Sequence, residues 1–306
     1  RVISDTKHDL FDQSGVLLAK DDSDIEPIVR EDSTISGDVI WSCTTCRACE
    51  AVCPASVPYG RLLDAGRGLV PDRTPRLLDS LARHPGWNAA SMTGLAGLRR
   101  VGLFTAPGDD TDSAWFERAL RRLPLPPRAA TLRQSYEPVG DPVGRVSLFS
   151  GCVTRVMDRR TLVNVAGLLA RLGYRVDVPR DQVCCGALDQ HAGRGDRARR
   201  LARDNCRAFG TEATPVLSTA TGCTATLLDY GYLAPGEGEA FRARVQDVTE
   251  FLLQAWEPGR RPPDTLPARV ALHQPSRARH VTGSADAALD LLARIRGLEI
   301  RQLEPS

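Results

Sequence analysis

At 306 residues the chain has room for two domains or one large one, and 42% hydrophobic with 25% charged residues is ordinary for a globular protein. A net charge of +2 at pH 7 gives no whole-molecule field to draw nucleic acid or anionic lipid. No stretch reaches the roughly 18–20 apolar residues of a membrane span, and the longest candidate, Leu162–Leu172, is interrupted by Asn164 and Arg171. The N-terminus lacks the pattern of a secretory signal, and Arg1 is not an initiator Met, so the chain reads as a processed or truncated piece. Nine cysteines, clustered at metal-ligand spacings, argue against a disulfide scaffold and for a reducing compartment, the cytoplasm.

In chain order, residues 1–42 form a polar lead-in with short elements and no cysteine. Residues 43–103 hold the first cysteine group and helical patterns such as Tyr59–Leu69 and Pro75–Arg83. Residues 104–144 are rich in Pro and Gly and read as a connector, interrupted by a helix near Ser113–Arg122. From Arg145 to the end, strands and helices alternate. RVSLFSG is a strand, Thr161–Leu172 a helix, YRVDVP a second strand, and Gly193–Phe209 a second helix with Ala198, Leu201, Ala202, Cys206 and Phe209 on one face. PVLSTATG is a third strand, leading into a helix at Thr224–Tyr230. This alternation predicts a mostly parallel sheet. The region also repeats itself: Arg145–Leu148 (RVSL) matches Arg269–Leu272 (RVAL), and Leu168–Arg171 matches Leu291–Arg294, at a common offset of about 124. The fold class expected is therefore α/β: a small helical ferredoxin-type module, then a cysteine-rich α/β domain over 145–306 with an internal half-repeat.

Cys43, Cys46, Cys49 and Cys53, followed by Pro54, form C-x2-C-x2-C-x3-C-P. Soft thiolates at this pitch wrap one [4Fe-4S] cluster. A zinc site also takes four thiolates, but zinc loops pair two C-x2-C hooks separated by a dozen or more residues. In two-cluster ferredoxins the last cysteine ligates the other cluster. Here Cys53 either serves its own cluster, pairs with a motif upstream of Arg1, or leaves its place to a remote cysteine.

Cys152, Cys184, Cys185 and Cys223 each come shortly after a strand end, the edge where open α/β sheets bind ligands. They are candidate metal ligands, for a second iron–sulfur cluster or for zinc, against the alternative of buried free cysteines. Gly186 suits the turn that adjacent cysteines need. Cys206 reads as core. His191 is either a donor to a sulfur or a satisfied structural histidine. The run Arg194, Arg197, Arg199, Arg200 and Arg203 reads as a solvated helix face or a surface for an acidic partner.

The segments CTTCRACEAVCPASVPYGRLLDAGR, GC, CCGALDQHAG and TGCTATLLDYGY, in that order, resemble the iron–sulfur subunit of bacterial glycolate oxidase and the wider heterodisulfide-reductase-like proteins with cysteine-rich CCG domains, over about residues 40–300. The resemblance implies a non-catalytic subunit of an oxidoreductase complex. It would pass electrons from a flavin-containing 2-hydroxy-acid dehydrogenase to a downstream acceptor, in the cytoplasm or on the inner face of the membrane through its partners. Departures from the family pattern are the single ferredoxin-type motif, Thr226 where the disulfide reductases have a cysteine, and Ser276 at the repeat position of Cys152. A second CCG would fall just past Ser306, so the second half-repeat reads as incomplete. A heterodisulfide-reductase-like thiol/disulfide subunit and a degenerate metal-binding scaffold remain the alternatives. No G-x-S-x-G, H-E-x-x-H or G-x-G-x-x-G motif supplies another chemistry.

Overall fold

The computed structural model describes residues 2–3, 10–11, 17–19, 37–70, 72, 94, 131–256 and 265–303. The helical patterns expected at Pro75–Arg83 and Ser113–Arg122 lie outside the described residues. The chain divides into two compact units, one formed by residues 1–74 with 181–306 and the other by residues 75–180.

The first unit begins with β1 (Val2–Ile3), β2 (Leu10–Phe11) and β3 (Leu17–Ala19), paired antiparallel in that order. Three helices follow: α1 (Gly37–Ser42), α2 (Ala48–Val52) and α3 (Tyr59–Gly68), the last matching the helix expected over Tyr59–Leu69.

The second unit holds β4 (Ser135–Tyr136), β5 (Gly144–Phe149), α4 (Thr154–Met157), α5 (Arg159–Arg171) and β6 (Tyr174–Asp177). β5 and β6 are parallel, and β4 runs antiparallel to β6. The helix forms because Leu162, Ala166, Leu169 and Ala170 recur at helical spacing and are all buried. Val146, Leu148 and Phe149 of β5 are buried with Val176 of β6.

The chain then returns to the first unit as α6 (Ala187–Gln190), α7 (Gly195–Phe209), β7 (Val216–Ser218), α8 (Thr221–Leu228), α9 (Tyr230–Leu233), α10 (Glu237–Arg242), β8 (Val245–Asp247) and α11 (Val248–Ala255). β7 and β8 are parallel, and every residue of β7 is buried. Ala198, Ala202, Cys206 and Phe209 of the expected α7 face are buried, with Leu201 at its margin. Phe241 stacks on Tyr230 at 5.1 Å and meets Phe209 edge-on at 5.7 Å, closing the core around α7, α9 and α10. Asp247 starts α11 by accepting from the Thr249 N–H at 2.9 Å.

The third helix of the cysteine-rich region starts at Thr221, three residues before the expected Thr224. Its threonines are accommodated because Thr224 and Thr226 turn their hydroxyls back to the Ala220 and Gly222 carbonyls, each at 3.1 Å. Cys223 thereby sits in the first helical turn.

The unit ends with β9 (Ala268–Leu272), a π-helical turn over Ala278–Thr282, α12 (Ala285–Ala293) and β10 (Leu298–Gln302). β9 and β10 are parallel, with Ala268 facing Leu298 and Arg269 facing Glu299. In the second unit Gly144 faces Tyr174 and Arg145 faces Arg175. Both pairs thus join residue i to residue i+30. A glycine with positive φ, Gly173 or Gly297, precedes the second strand each time. The sequence repeat is therefore a repeated strand–helix–strand of one register.

Candidate functional site

Cys43 directly follows α1, Cys49 lies on α2, and Cys53 caps the C-terminal end of α2. Between them the backbone enters the left-handed region at two side-chain-bearing residues, Thr45 (φ 56°) and Arg47 (φ 60°), with Ser56 (φ 52°) just beyond. Such conformations are costly for non-glycine residues and persist only when surroundings fix them. Here they turn a short segment between Cys43 and Cys49. The Thr45 N–H donates to Cys43 Sγ at 3.5 Å. The Cys53 thiol is held below its ordinary range chiefly by the Val57 N–H, against desolvation, with help from the Ala55 and Ser56 amides and the Tyr59 hydroxyl. N–H donors aimed at sulfur favour thiolates, the form that ligates soft metals. Among the described residues, no three His, Cys, Asp or Glu side chains are already drawn together as a metal cage. The donor set, four thiols on one loop with amides turned toward Cys43 and Cys53, fits an iron–sulfur cluster.

The fixing comes from residues far away in sequence. Arg47 donates to Glu50 at 2.6 Å and to Asp229 at 3.1 Å, and Glu50 accepts from the Gly60 N–H at 2.6 Å. Burial raises the Asp229 carboxyl above its usual range, with Arg47 and then Arg61 pulling the other way. α3 presents Arg61, Asp64 and Arg67 at three-residue spacing. Arg61 packs over the Tyr232 ring at 4.6 Å. Arg67, buried against Trp41, donates to the carbonyls of Cys43 at 2.6 Å and His191 at 3.0 Å.

His191 lies between Asp64 Oδ1, 3.0 Å from Nδ1, and Arg277, 2.9 Å from Nε2. A guanidinium can only donate, so Nε2 accepts and Nδ1 carries the proton toward Asp64. Both ring nitrogens are engaged without a sulfur, which is the structural alternative of the sequence reading. Arg277 also donates to the Thr45 hydroxyl. The basic run divides as well: Arg194 and Arg197 turn to the buried Asp189, at 2.8 Å and 3.3 Å, and Arg194 also reaches Asp72 at 2.6 Å.

Cys184 and Cys185 are buried, and Gly186 takes φ 94° to start α6. A left-handed turn here suits glycine alone among ordinary residues. The Cys185 thiol has Cys184 and Cys223 as its neighbouring thiols. The Cys184 contact works to lower the Cys185 thiol. The Cys223 contact, burial and the charge on Cys223 outweigh it and push the thiol well above its ordinary range. Beneath the pair, Asn205 donates to the Cys184 carbonyl at 3.0 Å and to the Tyr230 hydroxyl at 2.8 Å, and accepts from the Val183 N–H at 2.9 Å. Tyr230 in turn donates to the Cys185 carbonyl at 3.0 Å. This buried network fixes the backbone of the paired cysteines.

Cys152 is buried in the second unit, three residues after β5. Near it, Arg155 forks onto Ser150 Oγ through two nitrogens, at 2.8 Å and 3.1 Å. Cys206 is buried on α7, where burial foremost pushes its thiol up to about 11. Sequence reasoning missed Asp64, Arg67, Asn205, Tyr230 and Arg277, whose partners are distant in the chain.

The chain matches the family described as Cysteine-rich domain (CCG) over residues 146–228. It is 30% identical over 288 residues to the probable glycolate oxidase iron-sulfur subunit of Bacillus subtilis, covering 86% of this chain and 64% of that protein. It is 30% identical over 251 residues to the glycolate oxidase iron-sulfur subunit of Escherichia coli, covering 78% and 58%. With Lactate utilization protein A of Geobacillus kaustophilus it shares 31% identity over 165 residues, 51% of this chain and 67% of that protein. The chain thus spans roughly three-fifths to two-thirds of these relatives' lengths. No solved structure matches it. Among the described residues, no helix is long and apolar enough to cross a membrane. The cysteine spacing, the shared half-repeats and these matches together make the chain a member of the CCG cysteine-rich family that includes the glycolate oxidase iron–sulfur subunits and Lactate utilization protein A.

Proposed function

We propose that the chain is the electron-transfer subunit of a 2-hydroxy-acid-oxidising complex, with a [4Fe-4S] cluster on Cys43, Cys46, Cys49 and Cys53. The observation that carries this reading is the loop itself: a C-x2-C-x2-C-x3-C-P run wound through left-handed Thr45 and Arg47, with amides turned toward the sulfurs of Cys43 and Cys53. A cluster of this kind, when bound, would supply a one-electron carrier that changes charge with little rearrangement of its ligands. The chain's own residues would hold it still: Arg67 clamps the Cys43 carbonyl, and Arg277 clamps Thr45. Fixed donors and a rigid loop are what low reorganisation requires. Cys152, Cys184, Cys185 and Cys223 are the proposed ligands of a second iron–sulfur cluster or a zinc ion.

Substrate oxidation would fall to a flavin-bearing dehydrogenase of glycolate or lactate type, in keeping with the names of the relatives. The complex would work in the cytoplasm or on the inner face of the membrane. Thiol/disulfide chemistry of the heterodisulfide-reductase kind is disfavoured by Ser276, which stands where the repeat would place the partner of Cys152.

Iron, zinc and acid-labile sulfide, counted on anaerobically purified protein beside EPR of the dithionite-reduced state, test the proposal. About four irons per chain would mean that only the ferredoxin-type site is filled, and more would bring in the CCG cysteines. Zinc without sulfide at both groups would sink the redox reading.

A further inference from the structure

The second unit contains a cavity of about 310 Å³ that none of the cysteine chemistry uses. Arg133, Arg155, Arg159 and Arg180 line it, and Val178 and Pro179 supply apolar wall. None of the lining residues is acidic. Among the described residues none of these four guanidiniums is paired with a carboxylate, although the same unit pairs Arg145 and Arg175 with Asp177. Asp158, next to Arg159 in sequence, does not line the cavity and holds the Thr161 hydroxyl at 2.5 Å instead. Arg155 is fixed by its fork on Ser150, and Arg159 by donating from Nε to the Arg155 carbonyl at 3.1 Å. Arg133 and Arg180 stand exposed at the margin.

Four like charges around one small cavity repel one another, and an anion between them removes that cost. Planar guanidiniums match carboxylate and phosphoryl oxygens two at a time, which ammonium groups cannot do. The volume lies at the small end of ligand pockets, roughly 300–1,000 Å³, and part of the wall is apolar. We propose that the arginine-lined cavity binds a small organic oxyanion, a carboxylate or phosphoryl group carried on a short carbon body. Arg155 and Arg159 form its fixed floor, while Arg133 and Arg180 close on the ligand from the margin.

Isothermal titration of the anaerobically prepared full chain with malonate and with glycerol 3-phosphate, at matched low ionic strength, tests this directly. Saturable one-to-one binding of either is expected, and the arm that binds more tightly identifies the head group. Removing one charge-assisted contact should weaken binding about tenfold in R159Q, and R180Q, at the exposed margin, should weaken it in the same direction. Far-UV circular dichroism and iron content should stay at their unsubstituted values in both. Failure of both probes to saturate would overturn the site, as would affinity unchanged by R159Q and R180Q alike. The assay reads binding alone, so its result does not depend on the redox reading.

Discussion

Gly193→Ala tests how the ferredoxin-type helix is fastened to the rest of its unit. Gly193 has φ +75°, and a Cβ there would lie 2.5 Å from the Arg67 carbonyl carbon and 2.6 Å from Gly68 Cα. Both neighbours are backbone at the end of α3, so no side chain can swing aside. The left-handed conformation costs an alanine about 1–2 kcal/mol. Forcing the backbones apart adds about 1–3 kcal/mol, the range for overpacking. Gly283→Ala separates the two effects, because Gly283 also has positive φ (+70°) while its Cβ would meet only Glu250 Oε1, at 3.9 Å. Urea unfolding followed by tryptophan fluorescence should show G193A less stable than G283A by about 1–3 kcal/mol. With m on the order of 3 kcal/mol/M, that is a midpoint difference of about 0.3–1 M. The displaced α3 carries Arg67 with it, so G193A should also release iron more readily to a chelator. If the two variants unfold at the same urea concentration, the close approach of Gly193 to α3 is not a structural fastening and the reasoning fails.

Replacing Cys49 by Ser should remove about four irons per chain, read by iron and sulfide analysis; full retention would show that the ferredoxin-type loop is not a cluster ligand. Tyr230→Phe deletes the hydrogen bond to the Cys185 carbonyl and the acceptor for Asn205, and should cost about 1–3 kcal/mol in urea unfolding; a neutral result would empty the buried network of energetic meaning. Arg277→Ala removes a cation from the Thr45 hydroxyl, so the midpoint potential of the ferredoxin-type centre should fall in a redox titration, with Arg277→Lys retaining more of it. Because the Cys206 thiol is raised from 9.0 to about 11 on folding, its contribution to stability is fully present below pH 9 and is lost as pH rises toward 11. The stability advantage of the unsubstituted protein over C206A should therefore shrink across that window, and an advantage that grows there would contradict the sign.

The elements most legible in the sequence were those whose cause is local. Leu162, Ala166, Leu169 and Ala170 announce α5 by spacing alone, and the matched RVSL and RVAL strands turn out to pair in the same register with their partners. The cysteine candidates were visible in the sequence, the first four because their spacing is a local signal and the others because each follows a strand pattern. Their supports were not. Thr45 and Arg277 lie 232 residues apart, and Arg67 and His191 lie 124 apart. An arginine in an arginine-rich chain carries no mark of a partner that distant. Nothing in the sequence marks Asn205, and only the fold shows it reaching Cys184 and Tyr230. The basic run on α7 misled for the same reason: the spacing of Arg194 and Arg197 says solvent, while the buried Asp189 says otherwise.

The two half-repeats show how a duplicated backbone can carry different chemistry. After β5 the first half places Cys152 and then Val153, a side chain left 43% exposed. At the equivalent positions after β9 the second half has Ser276 and then Arg277. A thiol suited to a soft metal has become a hydroxyl, and an idle valine has become a cation that reaches Thr45 and His191. The strand register and the glycine before the second strand are the same in both halves, so the backbone alone cannot account for the difference. Side-chain length and charge do: only a long donor at that position spans to the loop between Cys43 and Cys46. In this chain the second half-repeat braces the loop between Cys43 and Cys46 through Arg277, a contact the first half's Val153 has no means to make.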